Sequence, residues 1–394
     1  MDPRTNPYAP GAGTQPPELA GRDVLIEKAS IALDRARNGL SARGFIMVGL
    51  RGVGKTVLLS HLAQTAEAGG FSVVSIETPE KRSLPALLIP ELRAALFKLN
   101  RKHAAHELVK KTLRIFGSFV SAMKMKYNDI EVSVDFGKQP GTADSGDLEH
   151  DLITLFVAIG ELLREKKTAL ALFIDEIQYL DESHFAALIM ALHKCTQLRL
   201  PVVLIAAGLP QVVGLAGRAK SYAERLLEYP EIGPLEKSAA IDALAVPAKK
   251  LHVSFTQGAI DLLLQQTQCY PYFLQEWGKE CWDCAAKSPI SDDDVRFATK
   301  LAINGLDTSF FRVRFDRLTP SEKKYLRAMA EIDASVVRSG DIATLLEKDV
   351  QTVAPTRASL ITKGMIYSPA HGDNAFTVPL FQQYLKRVQP KFEL

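Results

Sequence analysis

Gly49-Leu50-Arg51-Gly52-Val53-Gly54-Lys55-Thr56 is the stretch on which the reading of this chain turns. It fits the pattern G-x-x-x-x-G-K-[ST], and each part of that pattern has a physical task. Glycines let main-chain N–H groups turn inward around phosphate oxygens without Cβ clashes. A helix starting near Gly54 points its positive end at the same anion. Lys55 reaches the β- and γ-phosphates, and the Thr56 hydroxyl binds Mg²⁺. The expected nucleotide-binding set is Gly49, Leu50, Arg51, Gly52, Val53, Gly54, Lys55, Thr56 and Val57. The flanks have the form this loop requires. Phe45-Ile46-Met47-Val48 reads as a short buried strand, and Val57, Leu58, Leu59, Leu62 and Ala63 mark an amphipathic helix.

A second motif completes the site. Leu170-Ala171-Leu172-Phe173-Ile174-Asp175-Glu176 is an apolar strand ending in two acids. A strand beside the phosphate-loop strand would deliver Asp175 to the Mg²⁺ shell and Glu176 toward the attacking water. Glu176 is then the base or water orienter of a hydrolysis, and Asp175 acts by electrostatics. ATP and Mg²⁺ are the expected ligands, with Thr56 and Asp175 as the metal's protein oxygens.

Outward from these motifs, Phe71–Ile76 and Val202–Ala206 are further short apolar runs, and helical patterns lie between the strands at about 149–165 and 182–197. Continuous apolar strands alternating with helices imply a doubly wound α/β domain with a parallel sheet, an expected P-loop NTPase core over 21–235. Residues 1–20, rich in Pro and Gly, read as an extended arm. About 100–148 reads as an insertion: a basic helical stretch Arg101–Lys126, a strand-like alternation over 130–136, then a polar loop. Residues 236–305 read as a helical lid, with Ser291 and Asp294 spaced as a capping box. Residues 306–394 read as three helices and a hairpin (Thr319–Ile332, Ser339–Glu347, Val350–Lys363, then a turn at 371–374), the order of a winged helix.

Composition narrows the classes. With 47% hydrophobic and 24% charged residues the chain reads as an ordinary globular protein. A net charge of +3 is too mild to demand a nucleic-acid partner. No apolar run is long enough to span a bilayer, and Met1-Asp2-Pro3-Arg4 does not begin a secretory signal, so a cytoplasmic location without membrane contact is expected. Cys281 and Cys284 form a single C-x-x-C with no second pair or His pair to complete a zinc site, and read as packed, reduced thiols.

These motifs make the chain resemble the AAA+ branch of P-loop ATPases. Pro17-Glu18-Leu19-Ala20-Gly21-Arg22-Asp23 is similar to that family's N-terminal box, which implies that Gly21 and Arg22 line an adenine pocket. Ile174-Asp175-Glu176-Ile177-Gln178 resembles its Walker B segment. Cys269-Tyr270-Pro271-Tyr272-Phe273 resembles the G-Y-P-Y segment of archaeal-type and STAND ATPases, with Cys in place of Gly, and implies a nucleotide contact at Pro271. With the winged helix, the arrangement is similar to the origin-recognition and archaeal initiator clade. The resemblance implies a trans-acting arginine, Arg225 with Arg218 as runner-up, and hence an ATP-dependent homo-oligomer or a partner ATPase.

There are departures. Ala206-Ala207-Gly208-Leu209-Pro210 has no Asn or Thr where the family places a polar sensor, and no sensor Arg is evident in the lid. The C-terminal module is open to two readings. Gln351, Thr352, Thr356, Arg357, Ser359 and Lys363 of its third helix, with Arg312, Arg314 and Arg317 nearby, could meet double-stranded DNA. In a STAND-like signalling ATPase the same module would instead hold the nucleotide domain closed and contact protein.

Overall fold

The computed structural model describes residues 1–392 apart from Ala12, Lys81, 104–106, 132–136 and Tyr222; of 100–103 only the backbone is described. The strand expected over 130–136 thus lies almost wholly outside the described residues. The chain divides into two compact units, one of 22–48 and 55–231, the other of 1–21, 49–54 and 232–394.

The first unit is built on a five-stranded, all-parallel sheet of order β2-β3-β4-β1-β5. Its elements are α1 (Asp23–Arg37), β1 (Gly44–Val48), α2 (Lys55–Ala68), β2 (Ser72–Glu77), α3 (Leu84–His103), α4 (Glu107–Lys126), α5 (Leu148–Glu165), β3 (Leu170–Asp175), α6 (Glu182–Gln197), β4 (Val202–Gly208), α7 (Gln211–Ala219), α8 (Ala223–Leu226) and β5 (Leu227–Glu228). Every residue of β1, β3 and β4 is buried, which is why these strands read as unbroken apolar runs. Leu58, Leu59, Leu62 and Ala63 form the buried face of α2, as their spacing predicts.

One expectation is corrected here. The acid-bearing strand β3 does not lie beside the phosphate-loop strand β1; β4 runs between them, with Phe45 opposite Ile205 and Phe173 opposite the same Ile205. Motif order along a chain does not specify strand order, because each crossover helix can carry the next strand past a neighbour. Helix α3 was not anticipated either. Pro85 and Pro90 read locally as breakers, yet Pro85 sits in the first turn, where its missing N–H costs nothing. The apolar face of α3, Leu88, Ile89, Leu92 and Leu96, is buried and carries Pro90 through.

The second unit holds α9 (Lys237–Lys250), α10 (Gln257–Thr267), α11 (Pro271–Cys284), α12 (Asp292–Leu306) and α13 (Arg312–Asp316). A π-helical turn at Asp307–Phe311 joins the last two. Then follow α14 (Pro320–Ile332), β6 (Val337–Arg338), α15 (Ser339–Leu345), α16 (Val350–Thr362), β7 (Ile366–Tyr367), β8 (Asp373–Phe376) and α17 (Phe381–Val388). Ser291 and Asp294 form the capping box, and Thr319 with Glu322 forms another. The small antiparallel sheet β6-β8-β7 with α14–α16 has the form of a winged helix. The N-terminal arm makes one 3₁₀ turn and packs on the lid helices. Tyr8 is 4% exposed and its hydroxyl donates to the Leu244 carbonyl at 2.5 Å. Cys281 is buried in α11, and burial pushes its thiol and that of Cys284 up. Among the described residues no group of three or more His, Cys, Asp or Glu is placed to hold a metal, and no helix is long and apolar enough to cross a membrane.

Candidate nucleotide site

Lys55 and Thr56 open α2, and Asp175 ends β3. The fold brings all three together. The Thr56 hydroxyl donates to the Asp175 carboxylate, which also accepts the Glu176 N–H at 2.8 Å, with the Lys55 ammonium close enough to act on it. Asp175 and Lys55 are each 6% exposed. Burial raises the Asp175 pKa; the Thr56 hydroxyl, the Glu176 amide and the Lys55 charge oppose that rise, and the neighbouring Glu176 carboxylate adds to it.

Glu176 is in the left-handed region (φ 50°, ψ 36°), a conformation that costs a non-glycine residue about 1–2 kcal/mol. It starts the 3₁₀ turn Ile177–Tyr179 and leaves its side chain half-buried. Gln178 Nε2–H donates to Glu176 Oε2, and Gln178 Oε1 accepts the Leu209 N–H at 2.9 Å. Thr78, directly after β2, donates its N–H to the Asp175 carbonyl at 3.1 Å and is 1% exposed. Neither Gln178 nor Thr78 was singled out for a role by sequence reasoning. The polar side chain standing beside the apolar end of β3 was the available signal for Gln178.

The loop Gly49–Gly54 lies in the other unit and has its own neighbours there. Gly52 and Gly54 have φ of 83° and 88°, which only glycine adopts freely. The Gly52 carbonyl accepts the Tyr272 N–H at 3.1 Å, and a Cβ on Gly54 would stand 4.0 Å from Pro271 Cβ. Tyr272 and Pro271 therefore border the loop at Gly52 and Gly54. The Arg51 N–H donates to the Thr377 carbonyl of the winged helix at 3.0 Å. Val53 is buried, and Leu50 and Arg51 are half-buried. Gly21 has φ 66° and packs on α9, where a Cβ would come within 2.7 Å of Ala239 Cβ. Arg22 caps the start of α1, and burial lowers its pKa. Val57 is half-buried on α2. Arg225 is exposed on α8, whereas Arg218 pairs with Glu182 at 3.2 Å.

The expected DNA-facing side chains are largely engaged within the module. Arg357 donates to Asn374 Oδ1 at 2.7 Å, to the Ser368 hydroxyl at 2.7 Å and to the Asp373 carbonyl at 2.9 Å. Ser359 and Lys363 both bond the Glu322 carboxylate, each at 2.7 Å. Arg314 stacks on the Phe310 ring, and Arg312 pairs with Asp316. Gln351 and Thr352 remain exposed.

Residues 18–205 match the family described as "AAA ATPase domain", and residues 308–385 match a "domain of unknown function". No curated protein matches the sequence. Among solved structures the chain is similar to a Walker-type ATPase of Pyrococcus abyssi, at 15% identity over 95% of this chain and 97% of that one, with a TM-score of 0.61. Cdc6p of Pyrobaculum aerophilum follows at 14% identity, 98% and 99% coverage and a TM-score of 0.46. The RuvB Holliday junction branch migration motor of Thermotoga maritima gives 16% identity, 95% and 99% coverage and a TM-score of 0.46. At 15% identity the likeness to the Pyrococcus abyssi ATPase is one of fold.

Proposed function

We propose that this chain, whose residues 18–205 match the AAA ATPase domain family, is a nucleotide switch that binds and hydrolyses Mg-ATP. The observation that carries this reading is the contact of the Thr56 hydroxyl with the buried Asp175 carboxylate, beside the buried Lys55 ammonium. The donor set fits Mg²⁺. Two hard oxygens from the protein suit an ion that keeps waters and takes its other ligands from phosphate. Asp175 accepts two hydrogen bonds and has lone pairs to spare, and the Lys55 ammonium beside it suits a phosphate oxygen. When bound, Mg²⁺ neutralises charge building on the phosphates. Thr56 and Asp175 would hold it, Lys55 would bind the phosphate tail, and Glu176 would orient a water and accept its proton. Arg225, exposed on α8, is free to serve the site of a second copy or a partner ATPase.

For the winged helix, the bond from the Arg51 N–H to the Thr377 carbonyl favours the STAND-like reading, in which the module bears on the phosphate loop. The internal bonds of Arg357, Ser359 and Lys363 point the same way. Association with duplex DNA is the second reading, supported by exposed Gln351 and Thr352. Steady-state hydrolysis with Mg²⁺, with EDTA and with duplex DNA at low salt separates them. We expect Mg-dependent turnover that DNA changes by less than about twofold. Salt-sensitive DNA binding with a larger stimulation would reinstate the initiator-like reading.

A further inference from the structure

A general base works only if its carboxylate is held where the water will be, and a misplacement of about 1 Å can cost roughly 100-fold in rate. Glu176 alone does not meet that condition, because it sits at a turn after the strand has ended, with its side chain half-buried. Gln178 holds that carboxylate, and three observations within one unit define how.

Its Nε2–H donates to Glu176 Oε2, and its Oε1 accepts the Leu209 N–H at 2.9 Å. The chemistry of the partners sets the orientation of this amide. Flipped, it would put NH₂ against an N–H and a carbonyl oxygen against a carboxylate, so both bonds would become repulsions. The third observation is the shape of β4. A Cβ on Gly208 would stand 2.8 Å from Gln178 Oε1 and 3.2 Å from Ile177 Cγ2, so a side chain at 208 would displace the Gln178 amide from its present position. β3 and β4 are paired in register up to Ile174 and Ala206, so Glu176 and Leu209 leave neighbouring strands at the same edge. The run Ala206-Ala207-Gly208-Leu209 offers no polar side chain there, and the main-chain N–H of Leu209 is the group that Gln178 engages.

We propose that Gln178 is a positioning residue that ties the Glu176 carboxylate to the end of β4, with the Leu209 amide standing where a polar sensor side chain is missing. Through this tie, movement of the β4 end is passed to the base. The inference rests on Glu176 being the base of the proposed hydrolysis.

The test is steady-state hydrolysis by the full chain, with ADP affinity measured separately by calorimetry. Gln178→Met keeps the length of the side chain and loses both bonds. It should lower kcat by about 10–100-fold while KM and ADP affinity stay within about threefold. Gln178→Glu, which sets a carboxylate against Glu176, should lose at least as much. Gly208→Ala should reproduce the kcat loss by displacing the amide, and the Gly208→Ala/Gln178→Ala pair should be no slower than Gln178→Ala alone, since the group displaced is already gone. A Gln178→Met kcat within twofold of wild type, alongside an inactive Glu176→Gln, overturns the inference and leaves the base assignment standing. Wild-type turnover in Glu176→Gln overturns both. A fall in ADP affinity matching the fall in kcat assigns Gln178 a merely structural part and also overturns the inference.

Discussion

At the end of β3, Asp175 and Lys55 are buried at 6% exposure each; in the winged helix, Glu322 and Arg327 are buried at 3% and 5%. The two carboxylates nevertheless shift in opposite directions. Burial raises Asp175, and its few donors do not overcome the desolvation. Burial pushes on Glu322 too, but the Lys363 ammonium, the Ser359 hydroxyl and the Thr319 N–H outweigh it and hold that carboxyl at about 2. Arg327 is likewise closed off by Glu331 and the Gln389 carbonyl. A structural network uses its hydrogen-bonding capacity on itself, whereas a binding site keeps capacity for a ligand and gives up stability for it.

The largest way to break this contrast is Glu176→Gln. It should lower kcat by about 10²–10⁴-fold with nucleotide affinity nearly unchanged, measured by turnover and calorimetry. An undiminished rate would remove the site from catalysis. Next, Lys55→Ala should weaken ATP binding by about 100-fold or more, seen as loss of the ATP-induced rise in Tm. Retained affinity would mean that the buried Lys55 ammonium is structural, as the buried Arg327 guanidinium is in the winged helix.

Smaller effects sharpen the comparison. Lys363→Met leaves Glu322 buried without its cation and should cost about 2–3 kcal/mol at pH 7 in urea unfolding. The sign follows from a folded pKa held below the unfolded one. The contribution is complete above the unfolded carboxyl range and disappears as pH falls toward 2, so wild type and variant should converge in acid. Asp175→Asn is expected to do the reverse. A folded pKa raised above the unfolded one means that stability is lost as pH rises through the carboxyl range, so neutralising Asp175 should stabilise the nucleotide-free chain at pH 7, read as a higher urea midpoint, while abolishing turnover. A destabilised Asp175→Asn would place Asp175 with the structural carboxylates.

Much of this was legible in advance for a physical reason. The phosphate loop is a local device: glycines, an ammonium and a hydroxyl must follow one another at set spacing, so eight residues declare it. The apolar runs of β1, β3 and β4 declare a sheet covered on both faces. The capping box at Ser291 is equally short-range, whereas the hairpin turn expected at 371–374 falls earlier, between Tyr367 and Asp373, because Asp373 and Asn374 are drawn into β8 by pairing with β6. Helix α3 escaped because its burial, not its local propensity, carries Pro90.

The tertiary structure alone decided which groups meet. It put β4 between the two motif strands and set Tyr272 on the Gly52 carbonyl. It brought the Thr377 carbonyl to the Arg51 N–H, and it turned Arg357, Ser359 and Lys363 inward. Gln178 and Leu209 are thirty-one positions apart, and their bond depends on two strands ending at one edge. Short spacings encode what a single turn can hold, while partners distant in sequence are chosen only when packing brings them within hydrogen-bond reach.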